Sequence, residues 1–312
     1  MSSAGNDKTD FPVALVGTTA SGKSAIAIEV ARKRGDVEIV SVDSMGVYRG
    51  MELATAKPSP AVRTEIRHHL IDLVDPWEEF TVSQFQSAAR SALEEIEGRQ
   101  GRALLVGGTG LYLRAVVDDL ELPGRWPDVA AELQLEADTI GVERLHDRLA
   151  ELDPLAASRT TPTNRRRIVR ALEVTIGSGR PFSSFGPGLE VYAPVPFRMI
   201  GLAFDPPSVD QRIADRFSSW IAAGLVDEVR TLMEAPQGLS RTARQALGYR
   251  EILRHLEEEQ PLEESVADAV RRTRSFARRQ WAWFRRDPRI SWLGPEDNPA
   301  EVLMAALEGR DG

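Results

Sequence analysis

Short apolar runs alternate with stretches of helical periodicity through most of the chain. The apolar runs are bounded by polar or glycine-rich segments, which is typical of buried strands, and they predict strands at residues 12–16, 37–42, 102–106, 198–204 and 290–293. Apolar residues spaced three and four apart predict helices at 25–33, 82–96, 208–234 and 262–286. Strands that alternate with helices form a parallel sheet with helices on both faces. The pattern therefore predicts an α/β core.

The segment 116–196 differs, because it contains no apolar run of the strand type. Residues 127–150 and 164–176 have helical periodicity, with Pro162 opening the second helix and Gly177 closing it. Residues 177–196 are rich in Gly, Pro and Ser and predict loops. The resulting division is a disordered tail at 1–10, a core formed by 11–115 and 197–293, an inserted all-helical domain at 116–196, and a C-terminal tail at 294–312.

Composition restricts the class of protein without identifying a function. The 312 residues are 42% hydrophobic and 28% charged, which is typical of a globular protein with a large core. No apolar run approaches the roughly 18 residues that span a bilayer, residues 1–10 lack the apolar segment of a signal peptide, and cysteine is absent. We expect a cytoplasmic protein without a membrane partner. We also expect a monomer, since no long exposed apolar stripe is evident.

The positive charges are clustered although the net charge is −8. That net charge argues against nonspecific coating of nucleic acid. Four arginines lie within 165–170, and seven lie within 271–286 among Phe276, Trp281, Trp283 and Phe284. The clusters favour local binding of a polyanion. The alternative is that the arginines form solvated helix faces whose aromatic neighbours lie in the core.

Residues 17–24 read GTTASGKS, a complete G-x-x-x-x-G-K-S phosphate-binding pattern between a predicted strand and a predicted helix. Backbone N–H groups of such a loop converge on a phosphate chain, and the helix dipole adds positive potential. Lys23 supplies a cation, and the Ser24 hydroxyl can coordinate Mg²⁺. The pattern predicts a P-loop NTPase-like core with a phosphate loop composed of Gly17, Thr18, Thr19, Ala20, Ser21, Gly22, Lys23 and Ser24.

Two further polar groups follow predicted strands. Asp43 follows the strand at 37–42, and Thr109 lies in the glycine-rich turn after the strand at 102–106. Ligands of parallel sheets bind at the carboxyl ends of the strands, so both residues should line one site with the phosphate loop. A carboxylate there can bind Mg²⁺, as in an ATP-binding kinase of small metabolites, or accept a proton from a nucleophile. These residues alone leave both chemistries open.

Five further stretches of sequence narrow the choice between these two chemistries. They read VDSMGVYRGMELATAKP at 42–58, LVGGTGLYL at 105–113, RRIVRALEV at 166–174, QALGYR at 245–250 and TRSFARRQWAWFR at 273–285. Together with the phosphate loop they resemble, in order and over residues 12 to 293, the bacterial tRNA dimethylallyltransferases. The resemblance implies transfer of a dimethylallyl group from dimethylallyl diphosphate to N6 of the adenosine immediately 3′ of certain tRNA anticodons, with release of diphosphate.

The resemblance also implies a role for each motif. The phosphate loop would hold the diphosphate of the prenyl donor rather than ATP, with Mg²⁺ at Ser24. Arg212 and Arg216 lie one turn apart on one face of the helix at 208–234. Thr109 and an arginine of this helix, Arg212, would complete the clamp, and Asp43 would accept the proton of N6. The anticodon stem-loop would contact Asp43, Ser44, Met45, Gly46, Arg166, Arg167, Ile168, Val169, Arg170, Gln245, Gly248, Tyr249 and Arg250.

The sequence departs from this family at Gly46, where glutamine is common in a stretch that contacts the target base. Glycine offers no side chain for that contact, so recognition would rely on the backbone or on Gln245. Two other functions stay open: prenyl transfer to free adenylate, and phosphorylation of a metabolite. The arginines of the inserted domain argue against the first, and the second leaves that domain and the basic C-terminal helix without a purpose.

Overall fold

The computed structural model, which describes residues 11–294 and 296–309, contains a six-stranded sheet. Its strands are β1 Val13–Val16, β2 Val37–Val42, β3 His68–His69, β4 Arg102–Gly107, β5 Arg198–Leu202 and β6 Ile290–Leu293. They lie in the order β3-β2-β4-β1-β5-β6, and every neighbouring pair is parallel. This confirms the predicted α/β class. Because β1, β2 and β4 are neighbours, the residues that follow them meet at one edge.

The helices of the described residues belong to two structural units. One unit runs up to Asp118 and resumes at Pro194, and the other is Asp119–Ala193, where 116–196 had been predicted. In chain order the helices are α1 Lys23–Arg34, α2 Pro60–Glu65, α3 Val82–Gly98, α4 Gly110–Val117, α5 Pro127–Ile140, α6 Val142–Leu152, α7 Pro154–Ser158, α8 Arg165–Ser178, α9 Pro206–Ala222, α10 Leu225–Met233, α11 Tyr249–Glu257, α12 Leu262–Phe284 and α13 Pro299–Leu307. None of the helices within 11–294 and 296–309 is both long and apolar enough to cross a bilayer.

The sheet is apolar on both faces because helices cover both. Val13 and Leu15 of β1 pack in one cluster with residues of α1 and α13, whereas Ala14 and Val16 pack in another with residues of α3 and α4. Successive side chains of a strand point to opposite faces. A strand buried on both sides is therefore apolar at every position, and this is why continuous apolar runs predicted the strands.

Three predicted boundaries are wrong, and glycines explain them. The helix predicted at 127–150 is two helices, α5 and α6, separated at Gly141, and the helix predicted at 208–234 is α9 and α10, separated at Gly224. Both glycines have positive φ, at 92° and 97°. The third, Gly177, lies inside α8, which ends instead at Ser178 and is capped by Gly179 with φ of 71°. A Cβ on Gly177 would lie 2.2 Å from the ring of Trp126, so this glycine serves packing.

The stretch beyond Gly294 is more than the tail that the sequence suggested. Its helix α13 buries Ala300, Leu303 and Leu307 in the apolar cluster that also contains residues of α1, β1 and β5. Asn298 caps this helix by accepting a hydrogen bond from the Ala300 N–H at 3.2 Å. The described part of this stretch therefore belongs to the core. The predicted tail at 1–10 lies outside the described residues.

Candidate functional site

A cavity of about 900 Å³ lies at the carboxyl edge of the sheet. Its walls come from the phosphate loop, the residues that follow β2 and β4, and α9 and α12, and the segment 245–250 closes a further side. All of these elements belong to the sheet-containing unit. The sequence motifs at 17–24, 43–46, 109 and 245–250 therefore meet in one cavity.

The phosphate loop begins after β1 and ends in the first turn of α1. Gly22 precedes the helix with φ of 96°, a left-handed conformation that glycine adopts without strain, and its carbonyl accepts hydrogen bonds from the Ala25 and Ile26 N–H groups. Residues Thr19, Ser21 and Ser24 line the cavity. The amino end of α1 thus faces the cavity, where its dipole favours an anion.

Lys23 lies in this loop with only 8% of its surface exposed. Its Nζ donates hydrogen bonds to the Thr18 carbonyl at 2.6 Å and to Ser21 Oγ at 3.4 Å. Burial lowers the pKa of Lys23 to about 7, which the negative charge of Asp43 partly offsets and the positive charge of Arg216 reinforces. The cavity therefore disfavours the ammonium form until an anion compensates its charge.

Asp43 follows the last residue of β2 and lines the cavity. Its Oδ1 accepts hydrogen bonds from the N–H groups of Met45 at 2.7 Å and Gly46 at 3.2 Å, and these bonds fix the side chain against the turn. No donor among residues 11–294 and 296–309 reaches its Oδ2. One oxygen thus orients the carboxylate, and the other remains available as a proton acceptor.

Thr109 connects two turns that border the cavity. Its Oγ1 accepts a hydrogen bond from the Ser44 N–H at 3.3 Å, which ties the turn after β4 to the turn after β2. Thr109 also precedes α4 and lines the cavity. The neighbouring Gly110 packs so closely on Trp283 that a Cβ there would lie 2.2 Å from Nε1 of the indole. The position of Thr109 is therefore set from two sides.

The two arginines of α9 differ in their surroundings. Arg216 is half-buried and lines the cavity, and burial together with the charge of Arg212 lowers its pKa. Arg212 is exposed, is not among the cavity-lining residues, and donates from Nη1 to the Ala20 carbonyl at 3.3 Å. Of the two arginines that the sequence placed one turn apart, the structure brings Arg216 rather than Arg212 into the cavity.

The residues expected to contact RNA fall into three groups by exposure. Arg166 and Arg167 are exposed on α8 of the helical unit, whereas Ile168 and Val169 are buried in the core of that unit. Arg170 donates to the Pro123 and Gly124 carbonyls at 2.9 and 3.0 Å. Arg166 and Arg167 are therefore accessible to a ligand. Ile168 and Val169 belong to the packing, and Arg170 stabilises the helical unit.

The segment 245–250 also contains both accessible residues and residues that serve packing. Gln245 and Arg250 line the cavity. Tyr249 is fully buried, and its hydroxyl donates to Glu228 Oε1 at 2.5 Å, while burial and the Glu228 charge raise its pKa. Gly248 has φ of 89°, and a Cβ there would lie 2.8 Å from that of Ala54. The side chain of Tyr249 and the missing side chain of Gly248 are thus parts of the packing.

Two residues with contacts at this site were not singled out from the sequence. Lys57 has a side chain only 2% exposed, and its Nζ donates to the Tyr48 carbonyl, Glu52 Oε1 and Asp72 Oδ1 at 2.6, 3.0 and 2.5 Å. These bonds hold the loop that follows Asp43. Gln280 of α12 contacts the phosphate loop. Lys57 lies in the sequence block 42–58 and Gln280 in the block 273–285. Neither block indicates which residues these side chains bond to.

A metal would depend on few protein ligands here. Within the described part of the chain, no group of three or more His, Cys, Asp or Glu side chains is placed to hold a metal ion. Ser24 lines the cavity and carries a hydroxyl group. Such a donor suits Mg²⁺ only if a bound phosphate chain and water supply the other oxygens.

Comparisons with known proteins agree with this arrangement of motifs. A model of the family described as IPP transferase matches residues 46–287. Curated relatives named tRNA dimethylallyltransferase include those of Nocardioides sp. (strain JS614), 44% identical over 95% of this chain and 97% of the relative, and of Acidothermus cellulolyticus, 47% identical over 95% and 93%.

Solved structures of tRNA prenyl-transferring enzymes are also similar to this chain. The tRNA isopentenylpyrophosphate transferase of Bacillus halodurans superposes with a TM-score of 0.68 and 35% identity, over 96% of this chain and 97% of that one. A eukaryotic dimethylallyltransferase described as acting on tRNA superposes with a TM-score of 0.74 and 26% identity, over 90% and 73%. The likeness extends over both structural units, since it covers nearly the whole chain.

Proposed function

The chain belongs to the IPP transferase family, and we propose from this premise that it transfers a dimethylallyl group to tRNA. The donor is dimethylallyl diphosphate, and the acceptor is N6 of the adenosine immediately 3′ of the anticodon, position 37. The observation that carries the proposal is one cavity that contains the phosphate loop, a carboxylate with a free oxygen and the segment 245–250. Relatives of this name at 44 to 47% identity support it over a metabolite kinase.

The donor half of the reaction needs positive groups around the leaving diphosphate. As the allylic carbon–oxygen bond breaks, its electron pair goes to the diphosphate, and charge grows on the oxygens. Backbone N–H groups at the start of α1, the ammonium of Lys23 and the guanidinium of Arg216 would stabilise that charge. Mg²⁺ held by the Ser24 hydroxyl and by diphosphate oxygens would add a Lewis acid. Thr109 would donate its hydroxyl to the same group.

The acceptor half needs an oriented amine and a base. The N6 lone pair of adenine is delocalised into the ring, so its alignment with the allylic carbon matters as much as proton removal. N6 forms the new bond to that carbon and loses one proton, which Asp43 Oδ2 would accept. The two backbone N–H groups on Oδ1 keep the carboxylate in place during this step. The products are N6-dimethylallyladenosine and diphosphate.

The RNA must present an unstacked base to this cavity. Enzymes that modify a base extrude it from the stack into a pocket, and anticodon loops are recognised by shape, stacking and phosphate contacts. Arg250 and Gln245 at the cavity, and the exposed Arg166 and Arg167 of the helical unit, supply donors for such contacts. A cytoplasmic location and a monomeric state complete the proposal, and both stay predictions.

One incubation tests this proposal against its alternatives. The protein receives labelled dimethylallyl diphosphate and Mg²⁺ with either unmodified tRNA or AMP, in the absence of ATP. We expect label in tRNA at the adenosine 3′ of the anticodon. Label in AMP alone would identify a free-nucleotide prenyltransferase. Absence of transfer to either acceptor would refute prenyl transfer.

Asp43→Asn tests the assignment of the base. The amide oxygen can still accept the turn hydrogen bonds, so the fold and tRNA binding should persist while turnover falls at least 10²-fold, which is the usual contribution of a general base. Ser41→Ala, a change to a neighbouring cavity-lining residue that is given no chemical role, serves as the control. Near-normal turnover of Asp43→Asn would exclude Asp43 as the base.

A further inference from the structure

We propose that Gln280 is a positioning residue that fixes the phosphate loop against the turn that carries Thr109. Gln280 lies on α12, is 7% exposed and lines the cavity. Its Oε1 accepts a hydrogen bond from the Thr19 N–H at 2.7 Å, and its Nε2 donates to the Gly108 carbonyl at 2.8 Å. One amide side chain thus bridges two segments that are far apart in sequence. Its catalytic consequence rests on the proposed function.

The turn after β4 is shaped to receive this amide. A Cβ on Gly108 would lie 2.3 Å from Gln280 Nε2 and 3.1 Å from the Gly17 carbonyl oxygen. A side chain at position 108 would therefore displace either the amide or the phosphate loop. Glycine at this position allows the close approach on which the bridge depends.

The tip of the phosphate loop needs such support because its backbone is strained. Ala20, the residue after Thr19, has φ of 60°, a left-handed conformation that costs an alanine roughly 1–2 kcal/mol. Strained residues persist where surrounding contacts fix them. The methyl group of Ala20 packs in a cluster with Ile213 of α9 and Ala277 of α12, and its carbonyl accepts from Arg212. The Gln280 bond at Thr19 is the contact of this set that also reaches the turn after β4.

The bridge also determines which backbone donors face the ligand. The Thr19 N–H is occupied by Gln280 and the Ser21 N–H by the Thr18 carbonyl, so of the later backbone donors those of Ala20, Gly22, Lys23 and Ser24 are left for a diphosphate. On its other side, Gln280 holds Gly108, whose neighbour Thr109 accepts from the Ser44 N–H next to Asp43. These contacts connect the phosphate loop, which would hold the leaving diphosphate, to Asp43, the proposed base. A misplacement of about 1 Å between such groups costs up to 10²-fold in rate.

Gln280→Met provides the first test, because methionine keeps the length of the side chain and loses both hydrogen bonds. We expect affinity for inorganic diphosphate to fall about tenfold, in line with the loss of one or two net hydrogen bonds. We expect kcat to fall by at least the same factor, with an unchanged KM for tRNA. Gln86→Met is the matched control, since Gln86 also donates to a backbone carbonyl, that of Ala115 at 2.7 Å, and does not line the cavity.

Gln280→Glu separates positioning from packing. An ionised glutamate can accept from the Thr19 N–H but cannot donate to the Gly108 carbonyl, whereas a protonated glutamate can do both. The ratio of kcat for Gln280→Glu to kcat for the unmodified protein should therefore rise as the pH falls from about 8 to about 6, because burial favours the protonated form. Lys23 titrates in both proteins, so its effect largely cancels in the ratio. If Gln280 served packing alone, the ratio of the kcat values would not change with pH. That result would overturn the proposal.

Hydrogen exchange separates this proposal from the proposed function. In the protein without ligand, the backbone amides of 17–24 and 107–110 should exchange faster in Gln280→Met than in Gln86→Met, at unchanged melting temperature. Equal exchange in the two variants, or wild-type diphosphate affinity and kcat in a folded Gln280→Met, would refute the positioning role. If the unmodified protein transfers no prenyl group, the proposed function fails, and the exchange data still decide whether Gln280 holds the loop.

Discussion

Diphosphate binding should take up a proton, because Lys23 is buried. Burial lowers the pKa of Lys23 to about 7, so at pH 8 about one tenth of the free protein carries this charge. A bound diphosphate favours the ammonium and returns the pKa toward its ordinary range. Binding should then take up about 0.9 proton at pH 8 and about 0.1 at pH 6. Above pH 7, the apparent affinity should fall by up to tenfold per pH unit.

Titration calorimetry in two buffers of different ionisation enthalpy measures this uptake. Diphosphate itself titrates, and Lys23→Arg corrects for that contribution because a guanidinium stays charged throughout this range. The unmodified protein should take up about 0.9 proton more than Lys23→Arg at pH 8, and the difference should nearly vanish at pH 6. Arg216→Gln should reduce the difference at pH 8, because removal of its charge raises the pKa of Lys23. Equal uptake by Lys23→Arg and the unmodified protein at pH 8 would refute the reasoning.

Four further substitutions separate packing from recognition. Tyr249→Phe removes the hydroxyl that donates to Glu228, so it should lower the free energy of unfolding in urea by about 1 kcal/mol and leave tRNA affinity unchanged in filter binding. Arg166→Ala should weaken tRNA binding and reduce the salt dependence of log K by about one unit, whereas Arg170→Ala should mainly lower the melting temperature. Gly46→Gln should fold normally, since its Cβ would lie 3.6 Å from that of Asp43, an ordinary contact, and should change the preference among anticodon-loop sequences in competition assays.

The sequence predicted the strands well because these strands are apolar on both faces. Residues such as Val13, Ala14, Leu15 and Val16 are buried whichever way they point, so local composition alone marks the element. The very short β3, by contrast, consists of His68 and His69 and has no apolar signal. It pairs with Ile39 and Val40 of β2, and only that long-range pairing makes it a strand.

Helix boundaries were harder to predict because a glycine has two uses. Gly141 and Gly224 end helices through a positive φ, whereas Gly177 continues one and makes room for Trp126. In the sequence these residues look alike. The difference depends on a ring 51 positions away along the chain, which no local pattern reports.

The chemistry was visible in the sequence wherever it resides in a contiguous motif. The pattern at 17–24 specifies a strand, a turn and a helix start that form one local unit, and Asp43 and Thr109 each follow an apolar strand. Spacing on α9 left two arginines one turn apart, and only the packing of that helix brings Arg216 to the cavity. In the same way, the RRIVR block contains both exposed arginines and the buried Ile168 and Val169.

By itself the sequence determined the α/β class, the phosphate loop and the carboxylate at a strand end, because each depends on residues close together along the chain. The tertiary structure decided which charged groups share a cavity, how far burial lowers the pKa of Lys23, and that Gln280 joins Thr19 to Gly108. These properties depend on distances between segments up to 261 residues apart. Such distances follow from the packing of helices on a sheet, and no local pattern along the chain encodes them.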